Sequence, residues 1–254
     1  MRNVDYLVVD NVKNLCVNTR YIGRGTTANC YKTKDDRVLK VFRETYRKQS
    51  LFNFIGDMES HYNKISMLNN DSYVGPQELV LSKLNKIVAY YMEYKNARTI
   101  KRFKLNIRVR DLIEPYKRLI IDTKKVSEAR FRVSDLHNKN ILYDGSFYMI
   151  DLDHGKFDDF HECSDILKYN MCDIVHVIID AIFGASYDKD IYFVNSYLDD
   201  LYEELTRNNY ELFEEFISKL EEVLNVENPT IGYLRRKRGR ILTLQKRVDY
   251  YGRY

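Results

Sequence analysis

The stretch Val133-Ser134-Asp135-Leu136-His137-Asn138-Lys139-Asn140-Ile141-Leu142 decides the reading of this chain. Asp135 and Asn140 put a carboxylate and a carboxamide on one short loop, a pairing suited to a substrate hydroxyl on one side and a magnesium ion on the other. Two apolar runs follow, residues 141–143 and 147–150, with Asp144-Gly145-Ser146 between them. Asp-Gly between such runs predicts a hairpin. That hairpin is expected to fold the chain back and deliver Met149-Ile150-Asp151-Leu152-Asp153 beside the loop, with Asp151 emerging at a strand end.

Working upstream, Tyr21-Ile22-Gly23-Arg24-Gly25-Thr26-Thr27-Ala28-Asn29-Cys30 reads as a glycine-rich loop. Gly23 and Gly25 let the backbone turn sharply and approach phosphate oxygens, while the third glycine position is Ala28. Val38-Leu39-Lys40-Val41 comes next. A lysine inside such a strand either lies on an exposed face or holds phosphates and pairs with a helix glutamate. Ile55, Met58, Tyr62, Ile65 and Leu68 recur at helical spacing and predict a helix over residues 51–68. Glu59 lies at the edge of that stripe, where an unpaired carboxylate is costly, and is the candidate partner of Lys40. Glu44 falls too soon after the strand to compete.

The wider pattern changes character once along the chain. Before Lys95, β-rich runs at residues 21–22, 38–42, 79–81 and 87–94 surround that one helix. After it, helices are expected over about 105–128, 166–183, 190–206 and 209–225, interrupted by the hairpin. The fold class is therefore α+β. The boundaries expected are 1–94 for a β-rich nucleotide-binding lobe, 95–230 for a helical lobe with the catalytic loop and metal site, and 231–254 for a basic tail.

Bulk composition narrows the remaining classes. A 254-residue chain that is 44% hydrophobic and 31% charged has the make-up of a folded globular protein. No apolar run approaches the roughly 18 residues needed to span a bilayer, so no membrane partner is expected, and the cytosol of a cell or infected host is the expected compartment. Cys16, Cys30, Cys163 and Cys172 form no Cys-x-x-Cys pair and read as reduced thiols. The net charge of +4 is uneven: residues 235–254 carry eight Lys or Arg against Asp249 alone. Such a tail is either a solvated face or a contact for nucleic acid or an acidic partner.

Over about residues 20–180, these motifs taken in order resemble the protein-kinase superfamily. The resemblance implies a two-lobed fold with a small β-rich lobe carrying one helix, and ATP and Mg2+ as cofactors. It implies that Lys40 and Glu59 form the ion pair that organises ATP, that Asp135 is the catalytic aspartate, and that Asn140 and Asp151 are magnesium ligands. Tyr91-Met92-Glu93-Tyr94 resembles the hinge whose backbone holds adenine, with Met92 guarding the back of the pocket. Asp173, in Asn170-Met171-Cys172-Asp173, resembles the helix aspartate that braces the catalytic loop. Lys139 is placed to neutralise a γ-phosphate.

The departures have consequences. Val133 stands where the family usually has histidine, so the loop must be braced otherwise. Asp151-Leu152-Asp153 replaces Asp-Phe-Gly, and Asp153 adds a carboxylate for a second metal or a basic neighbour. The segment between Asp153 and Asp173 is short and lacks Ala-Pro-Glu, so regulation by phosphorylation there is not expected. The expected activity is transfer of the ATP γ-phosphate to a hydroxyl. Asp135-Leu136-His137-x-x-Asn140 also resembles the aminoglycoside and choline phosphotransferases, which leaves a Ser/Thr of a protein or a small molecule as acceptor. A non-catalytic nucleotide-binding pseudokinase is the third reading.

Overall fold

The computed structural model describes residues 5–43, 58–84, 86–185 and 189–246, with positions 58, 59, 189 and 246 described by backbone alone. The chain divides into two compact units: Met1–Asn96 together with Ile150–Asp153, and Ala97–Met149 together with His154–Tyr254.

The first unit is built on a sheet. Its elements are β1 (Asp5–Val9), the short helix α1 (Val12–Leu15), β2 (Arg20–Arg24), β3 (Ala28–Lys32), β4 (Arg37–Phe42), α2 (Met58–Ser66), β5 (Glu78–Ser82) and β6 (Ile87–Glu93). The strands run in the order β1-β5-β6-β4-β3-β2, with β1 parallel to β5 and the other pairs antiparallel. Leu39 and Val41 of β4 enter a core with Val80, Val88, Ala89 and Tyr91. Strand alternation therefore turns Val38, Lys40 and Phe42 to the other face. On that face the Phe42 ring lies 6.1 Å from Tyr62 of α2 and 5.9 Å from Tyr90 of β6, centroid to centroid. Lys40 is set in this buried aromatic surface rather than on an exposed one, and is only 4% exposed.

The second unit is mainly helical. It contains β7 (Arg98–Thr99), α3 (Ile113–Glu128), β8 (Phe131–Arg132), β9 (Ile141–Tyr143), β10 (Phe147–Met149), β11 (Lys156–Phe157), α4 (Cys163–Phe183), β12 (Lys189–Phe193), α5 (Ser196–Arg207), α6 (Phe213–Leu224), α7 (Ile231–Ile241) and β13 (Leu242–Lys246). Helix α4 is its centre, with Ile174, Val175, Ile178, Ile179, Ile182 and Phe183 wholly buried. The hairpin forms as its turn residues predict: Phe147 pairs with Tyr143, and Gly145 adopts a φ of +116° that side-chain-bearing residues rarely tolerate.

Some expected elements differ. The helix expected from about residue 105 begins at Ile113, after a 3-10 turn at Val109–Leu112. The helix expected over 190–206 is a strand followed by a helix. Strand β12 pairs antiparallel with β13, and α5 starts only after Asn195, whose side chain accepts the Leu198 N–H at 3.0 Å. Of the helix expected over residues 51–68, the described part is Met58–Ser66. Strand β1 arises from a short apolar patch, and β3 begins inside the stretch read as a glycine loop.

The stretch read as a basic tail folds over 231–246 into α7 and β13, with Ile231, Leu234, Ile241 and Leu242 buried. Two of its cations turn inward. Arg235 donates to the Ala181 and Ile182 carbonyls, and Arg238 to those of Phe183 and Gly184. Carbonyls at a helix C-terminus have no intrahelical partner, so cations there satisfy them and oppose the helix dipole. Residues 247–254 lie outside the described part. No helix among the described residues is long and apolar enough to cross a membrane.

Candidate active site

In the first unit the chemistry gathers on Lys40. Antiparallel pairing places Cys30 of β3 and Tyr90 of β6 directly opposite it. The Lys40 Nζ donates to Asp153 Oδ2 at 2.7 Å and also to Asp151 Oδ1. Tyr90 Oη donates to Asp153 Oδ1 at 2.7 Å, so each oxygen of Asp153 has its own donor. A ring nitrogen of His61, on α2, lies 3.2 Å from the Asp153 carbonyl oxygen. The Lys40 and Asp153 side chains are each 6% exposed, whereas that of Asp151 is 30% exposed.

Electrostatics follow from this packing. Burial pushes the Lys40 ammonium toward losing its proton, but the Asp153 and Asp151 carboxylates outweigh burial and hold its pKa above the ordinary value. Burial raises the Tyr90 phenol well above its usual range, and the two carboxylates add to that. The Cys30 thiol is pushed up to about 11 by burial, against the pull of Lys40, so it is no thiolate at neutral pH. Asp151 sits at φ +64°, a sparsely populated conformation for a residue with a side chain.

The remaining first-unit candidates are placed as follows. Glu59 lies on α2, and its side chain falls outside the described residues. Gly25 N–H donates to the Ala28 carbonyl at 2.8 Å, closing the turn between β2 and β3. Ala28 is buried opposite Phe42, and the space above Gly23 is open to 4 Å. Met92 is buried opposite Val38. Glu93 is exposed and paired with Lys95 at 2.6 Å. The Tyr94 N–H is already donated to the Asp36 carbonyl at 3.2 Å, and the Tyr94 ring lies under the Lys32 ammonium.

In the second unit the loop of residues 133–140 carries the other set. Asp135 is exposed and sits at φ +54°. Asn140 is buried, and its Nδ2 donates to the Asp135 carbonyl at 3.0 Å. That bond fixes which way the amide points. Its Oδ1 accepts no hydrogen bond among the described residues and stays available as a neutral oxygen donor. Lys139 is exposed.

The loop is braced from α4, one turn earlier than the sequence suggests. Asn170 Oδ1 accepts the Val133 N–H at 2.9 Å, and its Nδ2 donates to the Phe131 carbonyl at 2.9 Å and to Ser127 Oγ at 3.1 Å. Asp173, the residue read as the brace, is exposed on the same helix. A side chain three positions earlier lies one turn back on nearly the same face, and there it reaches the end of β8. Two further bonds tie the loop down, from Ser134 Oγ to the His154 carbonyl and from Lys101 N–H to the Asn138 carbonyl. Together these replace the bracing that Val133 has no side chain to provide.

No family model matches this chain, and no curated protein matches it in sequence. Solved structures do match. An apo pseudokinase aligns with a TM-score of 0.53 at 10% identity, covering 93% of this chain and 96% of its own. The PknI kinase domain of Mycobacterium tuberculosis aligns with a TM-score of 0.54 at 11% identity, covering 81% of this chain and 95% of its own. The chain has a protein-kinase-like fold. At such identity the likeness carries the fold alone, and one neighbour is a pseudokinase while the other is a kinase domain. Any choice between those activities falls to this chain's residues.

Three residues that hold these groups were not picked out from the sequence: Tyr90 and His61 in the first unit and Asn170 in the second. For Tyr90 a signal existed. A tyrosine in a buried strand needs a partner for its hydroxyl, and here the hydroxyl donates to Asp153. In their separate units, the Asp151 carboxylate and the Asn140 amide oxygen are each hard oxygen donors.

Proposed function

We propose that this protein transfers the γ-phosphate of ATP to a hydroxyl group, with a Ser/Thr side chain of a protein as acceptor. The observation that carries the reading is the buried Lys40 held by two carboxylates of the Ile150–Asp153 segment, on a chain that also keeps Asp135 and Asn140.

In this reading Lys40 holds ATP phosphates, exchanging one carboxylate partner for phosphate oxygens. The open backbone around Gly23 and Gly25 covers the phosphates, and strand residues Met92 to Tyr94 face adenine. Because the Tyr94 N–H is spent on Asp36, adenine has to use other backbone groups of that stretch. Asp135 accepts the proton of the attacking hydroxyl as the new oxygen–phosphorus bond forms and the bond to the β-phosphate oxygen breaks. Lys139 lies four positions on and balances charge on the transferred group.

Each unit offers a candidate ligand for a divalent cation: in the first, Asp151 has a partly exposed carboxylate, and in the second, Asn140 has an amide oxygen that accepts no hydrogen bond among the described residues. Bound magnesium would supply neutralisation of phosphate charge. These residues orient the nucleotide. Asn140 in turn depends on the Asp135 carbonyl for its own orientation.

The motif around Asp135 and His137 and the short segment after Asp153 favour a second acceptor, a small-molecule alcohol. Labelled ATP offered with generic protein acceptors, with the protein alone, and with an aminoglycoside and choline panel separates the two. Label in protein supports the first acceptor; label in small molecules alone overturns it. Among the described residues of the basic region, Arg236 and Arg240 stay exposed and offer cations to an acidic partner.

A further inference from the structure

We infer that Asp153 is a positioning residue for Lys40 rather than a metal ligand, and that Tyr90 locks it in that role. The inference rests on the ATP reading above and assigns different duties to the two carboxylates of Asp151-Leu152-Asp153. Both oxygens of Asp153 are already engaged, Oδ2 by Lys40 Nζ at 2.7 Å and Oδ1 by Tyr90 Oη at 2.7 Å. Its side chain is 6% exposed, and its backbone carbonyl is held against the His61 ring. A cation would have to strip a buried carboxylate of two donors and leave the Tyr90 hydroxyl without an acceptor in an apolar face. Asp151 differs in exposure, at 30%, and in its strained backbone.

The division of labour follows from geometry. Tyr90 stands directly across from Lys40 on the neighbouring strand, so a phenol and an ammonium reach the same carboxylate from adjacent β positions. That three-membered unit, Tyr90–Asp153–Lys40, stays in place when nucleotide enters. Asp151 is the exchangeable partner, passed from Lys40 to the cation. Lys40 therefore keeps one fixed carboxylate whatever Glu59 does, and its ammonium is aimed before any nucleotide arrives.

Calorimetric titration of ATP into the full chain, with and without Mg2+, tests this in the wild type and in Asp151→Asn, Asp153→Asn and Tyr90→Phe. The expected result is that Asp153→Asn weakens ATP binding about tenfold or more in both conditions, leaving the gain from Mg2+ unchanged. Tyr90→Phe, which removes one hydroxyl and keeps the ring, does the same by about three- to tenfold. Asp151→Asn loses the gain from Mg2+ and keeps most of the metal-free affinity. If Asp153→Asn abolishes the Mg2+ gain with metal-free affinity intact, Asp153 is a metal ligand and the inference is overturned. Should that variant not fold, an unchanged affinity in Tyr90→Phe overturns it instead. A wild type that binds no ATP in either condition overturns the ATP reading itself and this inference with it.

Discussion

Lys40 shows how far a single residue's role depends on its strand. Its neighbours Val38, Leu39 and Val41 make a run that suits an exposed or a buried face equally, and only the pairing with β3 and β6 settles that it is buried. Losing the lysine should therefore do more than misplace phosphates. Lys40→Ala leaves Asp153 buried without its cation, and breaking such a pair costs about 3–5 kcal/mol. Adding Asp153→Asn removes the orphaned charge, so the double variant should be more stable than Lys40→Ala in urea denaturation. A double variant less stable than the single would show that the carboxylate is not held by Lys40. Asp135, Asn140 and Asp151 could be singled out by residue type and spacing, and their roles belong to the proposal. Tyr90 and Asn170 could not be, since their roles depend on which strand or helix turn lies opposite.

At the scale of elements, the hairpin and α4 were legible because their signals are local: Asp144-Gly145 for the turn, and a long apolar run ending at Gly184 in the left-handed conformation. Strand β12 was not legible. Its apolar run is too short to separate helix from strand by period, and its partner β13 lies far along the chain. The loop brace also belongs to this scale. Asn170→Ala should cost about 3 kcal/mol by stranding the Val133 N–H and the Phe131 carbonyl, and should lower turnover more than a comparable change at the exposed Asp173. Equal effects at the two positions would remove Asn170 as the brace. Gly155 precedes β11, and a Cβ there would come within 2.7 Å of two edge atoms of the buried Phe131 ring. Gly155→Ala should therefore lose about 1–3 kcal/mol in thermal unfolding. The Arg110–Glu221 pair joins a 3-10 turn to α6, and the Arg110 hydrogen bonds hold the Glu221 carboxyl below its usual 4.5. A depressed carboxylate contributes stability above its unfolded pKa and loses it as pH falls through the folded one. The stability gap between wild type and Glu221→Gln should therefore be full at neutral pH and close in acid below 4.5.

Across the whole molecule, the chain passes between units at 96/97, 149/150 and 153/154, so the first unit is not a continuous piece of sequence. The four residues Ile150–Asp153 bring it both carboxylates of Lys40. A fragment of residues 1–96 should accordingly lack the cooperative unfolding transition of the full chain, because Lys40 is buried there without counter-charge. The α+β class was legible from the change of pattern near Lys95, whereas the return of Ile150–Asp153 to the first unit follows only from three-dimensional packing. The central claim is phosphoryl transfer, and the kinase-like fold, shared with a pseudokinase, does not decide it. The most direct measurement is release of radiolabelled γ-phosphate from ATP into acceptor or into the protein itself, for wild type and for Asp135→Ala at equal ATP occupancy. The account predicts transfer by the wild type and a fall of about a hundredfold to ten-thousandfold in the variant, the range that loss of a general base produces. Transfer unchanged in Asp135→Ala, or a wild type that binds ATP and transfers nothing, would contradict it.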